Sequence, residues 1–128
     1  MTDIEKILNT GKSDRSGGEL MPTNEEFRQV ESELDFRFPE SYREFVRLGG
    51  LNELRINHRV LSPVEILQSR RYLPDHEHVP FADNGCGDFY CWPRVNLPEP
   101  TVLFADHETE TYSDDTSSFT QWVKQNRF

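Results

Sequence analysis

The chain has 128 residues, enough for one domain whose single core needs no disulfide. Its 14 basic and 23 acidic side chains leave a net charge of −9. That balance argues against nucleic acid as a partner, because phosphate contacts draw on Lys and Arg; it suits either plain solubility or an acidic surface that meets a basic protein.

The two cysteines, Cys86 and Cys91, lack the C-x-x-C spacing and the second pair of a zinc site. Flanking a hairpin turn they could form a disulfide, but two buried thiols in a reducing compartment is the expected state. The N-terminus, Met1-Thr2-Asp3-Ile4-Glu5-Lys6, lacks the basic-then-apolar pattern of a signal peptide. No apolar run reaches the length of a membrane span. A cytoplasmic protein without a membrane partner is expected.

In chain order, Ile4, Ile7 and Leu8 predict a short N-terminal helix. Gly11 to Gly18 is polar, glycine-bearing and aperiodic, so a mobile loop is expected over about 11–21. It lacks the ordered G-x-x-x-x-G-K-S/T pattern and no strand precedes it, which excludes a phosphate-binding loop. Thr23 is placed to cap the next helix, with Glu26 completing a capping box. Phe27, Val30 and Leu34 form that helix's buried stripe, while Glu25, Glu26, Glu31, Glu33 and Asp35 read as its solvated surface.

The stretch from Phe36 to Gly50 organises the chain. Pro39 can sit in the first turn of a helix, where its missing N–H costs nothing. Tyr42, Phe45 and Val46 share a helical face, and Gly49-Gly50 stops the helix. Leu51, Leu54 and Ile56, then Val60 and Leu61, fit short strands around a turn near Asn57-His58. Ser62-Pro63-Val64-Glu65 is a second capping box, opening a helix that runs to about Arg70.

A loop over Pro74 to His78 leads to a strand at Val79 to Ala82. Asp83-Asn84-Gly85-Cys86-Gly87-Asp88 is rich in turn residues, and Asp83, Asn84 and Asp88 are suited to shaping a turn through side-chain bonds to backbone. Phe89 to Trp92 reads as an aromatic strand, with Phe89 and Cys91 facing one way, Tyr90 and Trp92 the other. Pro93 and Pro98-Glu99-Pro100 bracket a loop before a strand at Thr101 to Ala105. Thr109 to Thr116 is polar enough for only a short edge strand and a turn. Ser117 or Ser118 then caps a final helix carrying Phe119, Trp122 and Val123. Helices, then strands, then a helix argue for an α+β domain over 1–128, an antiparallel sheet with helices packed against it.

These motifs in this order resemble the SUKH superfamily, which includes the fungal cell-wall-synthesis regulators. The residues that carry the resemblance are Leu34, Phe38-Pro39-Glu40-Ser41-Tyr42-Arg43-Glu44-Phe45, Gly49-Gly50, Phe81 to Tyr90, Asp106-His107 and Ser118-Phe119-Thr120-Gln121-Trp122. Two features depart from the family pattern. Leu48 stands before the glycines, and Cys86 interrupts a turn that is often glycine-rich. The resemblance implies an α+β domain with no catalytic activity and no cofactor. Bacterial members act as immunity proteins that bind and neutralise a toxin of a polymorphic toxin system; fungal members act as regulatory scaffolds.

Three functions therefore stand open. The first is an immunity-type protein holding a basic toxin domain through Asp83, Asp88, Tyr90, Trp92, Asp106 and Glu108. Acidic residues would steer a basic partner, and aromatic residues are enriched at binding hot spots. Trp92, at a strand end beside Pro93, reads either as a partly exposed binding residue or as a packed residue of the sheet; Trp122 is expected in the core. The second is a regulatory scaffold without a toxin partner. The third is a small metal-dependent hydrolase built on His76, His78 and His107, which requires the three histidines to converge from two loops; no H-E-x-x-H or Cys/His pairing supports it. Neither cysteine lies in a recognisable nucleophile context.

Overall fold

A computed structural model describes residues 4, 6, 22–52 and 56–127. The expected mobile loop, the positions of Ile7 and Leu8, and Leu54 lie outside the described residues. Ile4 and Lys6 are helical, and Ile4 is buried. Four helices follow, α1 (Asn24–Leu34), α2 (Glu40–Arg47), α3 (Pro63–Ser69) and α4 (Phe119–Asn126). The strands are β1 (Arg59–Val60), β2 (His78–Asp83), β3 (Phe89–Pro93), β4 (Val102–Asp106) and β5 (Thr111–Thr116). They form one sheet in the order β1-β2-β3-β4-β5, with every neighbour antiparallel. The fold is α+β.

The helices pack on one face of the sheet. Phe27, Val30 and Leu34 of α1, Tyr42, Phe45 and Val46 of α2, Ile66 of α3, and Phe119, Trp122 and Val123 of α4 join Val79, Phe81, Ala82, Trp92 and Val102 in one core. Strand alternation sends Cys91 and Ala105 to the opposite face, where Leu73, Phe89, Leu103 and Tyr112 form a smaller cluster. A bulge between Pro80 and Ala82 turns both Phe81 and Ala82 into the main core.

The helix ends follow local chemistry. Thr23 Oγ1 accepts from the Glu26 amide at 3.1 Å. Ser62 and Glu65 form the full reciprocal box of α3, and Ser118, rather than Ser117, caps α4. Pro39 stands just before α2, as its N-cap, and offers no side-chain hydrogen bond. The open N–H of Ser41 is met instead from a distant loop: Glu99 accepts from the Ser41 amide at 3.1 Å and from its hydroxyl at 2.6 Å. At the other end Gly49 takes a left-handed φ of 84°. A Cβ on Gly50 would lie 2.5 Å from the Phe45 ring, so that position has no room for a side chain.

The polar stretch before α4 gives, as expected, a turn and then an edge strand, β5, which pairs with β4. Two expectations are corrected. Leu51 belongs to a 3-10 turn, Gly50–Asn52, because the chain tightens directly after the α2 cap; Ile56 makes an isolated bridge to Arg127. Glu31 is not part of a solvated surface. It accepts from the Phe38 amide at 2.8 Å and from Arg43 at 2.6 Å, bracing α1 against the start of α2.

Phe45 is fully buried against Phe119, with ring centroids 5.4 Å apart. Phe45→Ala is expected to lower unfolding free energy by about 3–5 kcal/mol in denaturant titration. Glu99→Ala removes the only side-chain acceptor recorded at the start of α2 among the described residues, and is expected to cost about 1 kcal/mol by the same measurement.

Candidate functional site

The meander brings two hairpin turns to one end of the sheet. The β2–β3 turn is built by its own side chains. Asp83 Oδ1 accepts from the Gly85 amide at 3.0 Å, and Asn84 Oδ1 accepts from the amides of Cys86 at 2.8 Å and Asp88 at 3.2 Å. Gly85 and Gly87 supply φ values of 81° and 97°. In the β4–β5 turn, Asp106 Oδ1 accepts from the Glu108 amide at 2.9 Å, and the Glu110 amide donates to the Asp106 carbonyl at 2.8 Å.

A clamp joins the two turns. The His107 amide donates to Asp88 Oδ1 at 2.9 Å, and His107 Nδ1 lies 2.6 Å from the same oxygen. Asn84 donates to the other Asp88 oxygen at 3.1 Å. The backbone bond from His107, then its ring, hold the Asp88 carboxyl below its ordinary value of 3.8. The Asp88 carboxylate in turn raises His107 above its ordinary 6.5. A Cβ on Gly87 would sit 3.1 Å from the His107 ring, so glycine there allows the clamp to close.

Four of the six expected contact residues, Asp83, Asp88, Asp106 and Glu108, thus share the turn end of the sheet. Asp83 is paired with Arg59 at 3.2 Å. Asp106, Glu108 and the neighbouring Glu110 form no ion pair with Lys or Arg among the described residues. Tyr90 faces the helices instead. Its ring packs on Trp122 and Phe104, its hydroxyl lies 3.3 Å from His58 Nε2, and burial holds that hydroxyl above its usual range.

Trp92 is fully buried, not partly exposed, because alternation along β3 points it at the helices. It stacks on Phe81 at 4.5 Å and touches Tyr42 edge-on at 5.4 Å.

The three histidines are not brought together. His78 lies 2.9 Å from Asp75 and stacks on Tyr112, whereas His107 is clamped to Asp88. Among the described residues, the group of three potential ligands within 4.8 Å of one another is Asp88, Asp106 and His107, without His76 or His78. The cysteines also differ from expectation. Both are free, but only Cys91 is buried; Cys86 is exposed at the tip of the β2–β3 turn. Burial pushes the Cys91 thiol well above the range in which it would form a nucleophilic thiolate.

A family model described as "SMI1 / KNR4 family (SUKH-1)" matches residues 21–125. The chain belongs to that family. The SUKH-1 match runs from the start of α1 into the last turn of α4, so it takes in both hairpin turns. No curated protein and no solved structure matches the chain. SUKH-1 membership supports a binding protein, of the immunity or regulatory kind, over a catalyst. No helix among the described residues is long and apolar enough to cross a membrane.

Sequence reasoning missed His107 as a clamp and Glu110 as a neighbour of the acidic turns. The single hint was the Asp106-His107-Glu108 run, which does not reveal that Asp88 lies across from it. The clamp carries a definite pH dependence. His107, raised in the fold, contributes stability that is present below pH 6.5 and lost as pH rises through its folded value. Asp88, lowered in the fold, contributes stability that is present above pH 3.8 and lost as pH falls through its folded value. The Tm advantage of the native chain over His107→Asn is therefore expected to peak between those limits. An NMR titration of the His107 ring should give a midpoint above 6.5 that drops in Asp88→Asn.

Proposed function

We propose that this chain is an immunity-type protein that binds and neutralises a basic toxin domain through the turn end of its sheet. The observation that carries this reading is the gathering of Asp83, Asp88, Asp106, Glu108 and Glu110 on two clamped hairpins. Asp83 and Asp88 shape and hold the turns. Asp106, Glu108 and Glu110 are left to face a partner. Family membership supports the binding role, and the net charge of −9 suits a basic protein. Tyr90 packs on Trp122 just behind this end, and Trp92 fixes the far end of β3 in the core, so the carboxylates stand on a packed strand rather than on a loose loop.

Opposite charge acts mainly on encounter, so the association rate should carry the effect. A partner recovered by pull-down from the native cell is expected to be basic. Its association rate, followed by surface plasmon resonance, should fall about tenfold from low to high salt, with a much smaller change in dissociation. The triple change Asp106→Asn, Glu108→Gln and Glu110→Gln should remove most of that salt dependence. A partner that associates equally fast at low and high salt would overturn the proposal. A neighbouring reading frame for a large multidomain toxin would separate immunity from a regulatory scaffold.

A further inference from the structure

The face of the sheet turned away from the helices carries an open cavity of about 220 Å³. It lies between the 3-10 turn Arg70–Tyr72 and strands β3 to β5. Phe89, Ala105 and Tyr112, from three adjacent strands, form its floor. Tyr72 forms a wall. Its ring is 60% exposed and lies nearly parallel to Phe89, at 11° and 6.2 Å between centroids. Asp106 and Glu110 stand on the rim.

We infer that this cavity is an anchor pocket for one lysine or arginine side chain of the partner protein. This rests on the proposed function, in that the partner is basic. The charges favour that occupant. The basic groups lining the cavity are Arg71 and His107; His107 is paired with a carboxylate, and Arg71 is turned onto neutral Tyr72, so two carboxylates, Asp106 and Glu110, stand against one uncompensated cation. The Arg71 guanidinium sits 5.1 Å from the Tyr72 ring centroid and donates to its hydroxyl at 3.1 Å. His107 is clamped to Asp88. Asp106 and Glu110 have no Lys or Arg partner among the described residues, so an anion would meet two carboxylates, and an apolar group would desolvate them without return.

A long cationic side chain satisfies both halves of the pocket. Its methylenes lie along Tyr72, Phe89 and Ala105, and its charged head reaches Asp106 and Glu110. Arg71 would hold the Tyr72 ring upright and keep a large apolar group in solvent, which is otherwise unfavourable.

The pocket can be tested without the partner. The probe is the blocked tripeptide acetyl-Gly-Arg-Gly-amide, added to the isotope-labelled native chain and followed by amide NMR. Saturable shifts are expected at Ala105, Asp106, Glu110 and Tyr112, and again with the lysine analogue. The double variant Asp106→Asn, Glu110→Gln should weaken binding by about fivefold, as expected for the loss of two exposed charge pairs. Tyr72→Ala should weaken it independently. If the double variant does not fold, Glu110→Gln alone, on an exposed turn, serves in its place.

The inference is overturned if neither basic peptide shifts these amides, or if acetyl-Gly-Leu-Gly-amide shifts them equally. It is also overturned if acetyl-Gly-Glu-Gly-amide binds, which would make Arg71 the anchor, or if the carboxylate changes leave binding intact. Failure here would leave the salt-dependent association of a basic partner standing. Failure of that association, with the arginine peptide still bound, would remove the toxin reading alone.

Discussion

Tyr42 joins the helical layer to the sheet, and much else depends on it. Its hydroxyl donates to the Leu61 carbonyl at 2.7 Å inside the core. Its ring meets Phe38, Trp92 and Phe119 at 5.0, 5.4 and 5.7 Å between centroids. An eight-residue helix such as α2 is marginal alone, because nucleation costs more than so few hydrogen bonds return. Here it is held from outside itself. Glu99 caps it across 58 residues of chain, Glu31 ties its residue Arg43 to α1, and Gly50 lets the chain pass against Phe45. The burial that fixes Tyr42 also raises its hydroxyl well above the usual range, which favours the protonated, donating form.

Fixing the helices on one face decides what the other face and the turn end can do. Among the described residues, the outer face is covered where Tyr72 and Leu73 pack on it. It also puts both hairpin turns at the same end, where five carboxylates would repel one another. The repulsion is reduced locally rather than removed. Arg59 bridges Asp83 and Glu65, His107 takes Asp88, and backbone amides satisfy one oxygen each of Asp83 and Asp106. The turns therefore hold their shape while Glu108 and Glu110 remain in solvent.

The parts of this arrangement that were legible in the sequence are those set by short-range rules. The Ser62 to Glu65 box, the Asp83 to Asp88 turn and the alternation of Phe89 to Trp92 each depend on spacing within a few residues. The misreadings have physical sources as well. The place of Trp92 beside Pro93 left it open between exposed and packed; the alternation implied one shared side for Trp92 and Tyr90, and the packing of α2 and α4 shows that this side is covered. Glu31 resembled a surface acid because its partners, the Phe38 amide and Arg43, lie 7 and 12 residues away, and the bond of Glu99 to Ser41 spans 58 residues that no local spacing reveals. The polar β5 was legible as an edge strand after a turn but showed no apolar alternation, because its pairing comes from backbone bonds to β4.

The acidity of the chain can be sorted by use. Glu31, Glu65, Glu99, Asp83 and Asp88 are occupied in capping helices, shaping turns and bracing elements. Solubility would account for the remainder if charge were the sole consideration, since exposed carboxylates such as Glu33 and Glu77 lie elsewhere. The turn end differs in what stands beside the charge. A rigid pair of hairpins, an exposed aromatic ring held in place by an arginine, and a cavity with an apolar floor all adjoin Asp106 and Glu110. A solubilising surface needs none of these, and holding Tyr72 in water has a cost that a purely structural 3-10 turn could avoid with a polar residue. Charge beside a structured apolar contact is the combination that favours a specific basic partner over solvation, because steering supplies the encounter and the pocket supplies the discrimination.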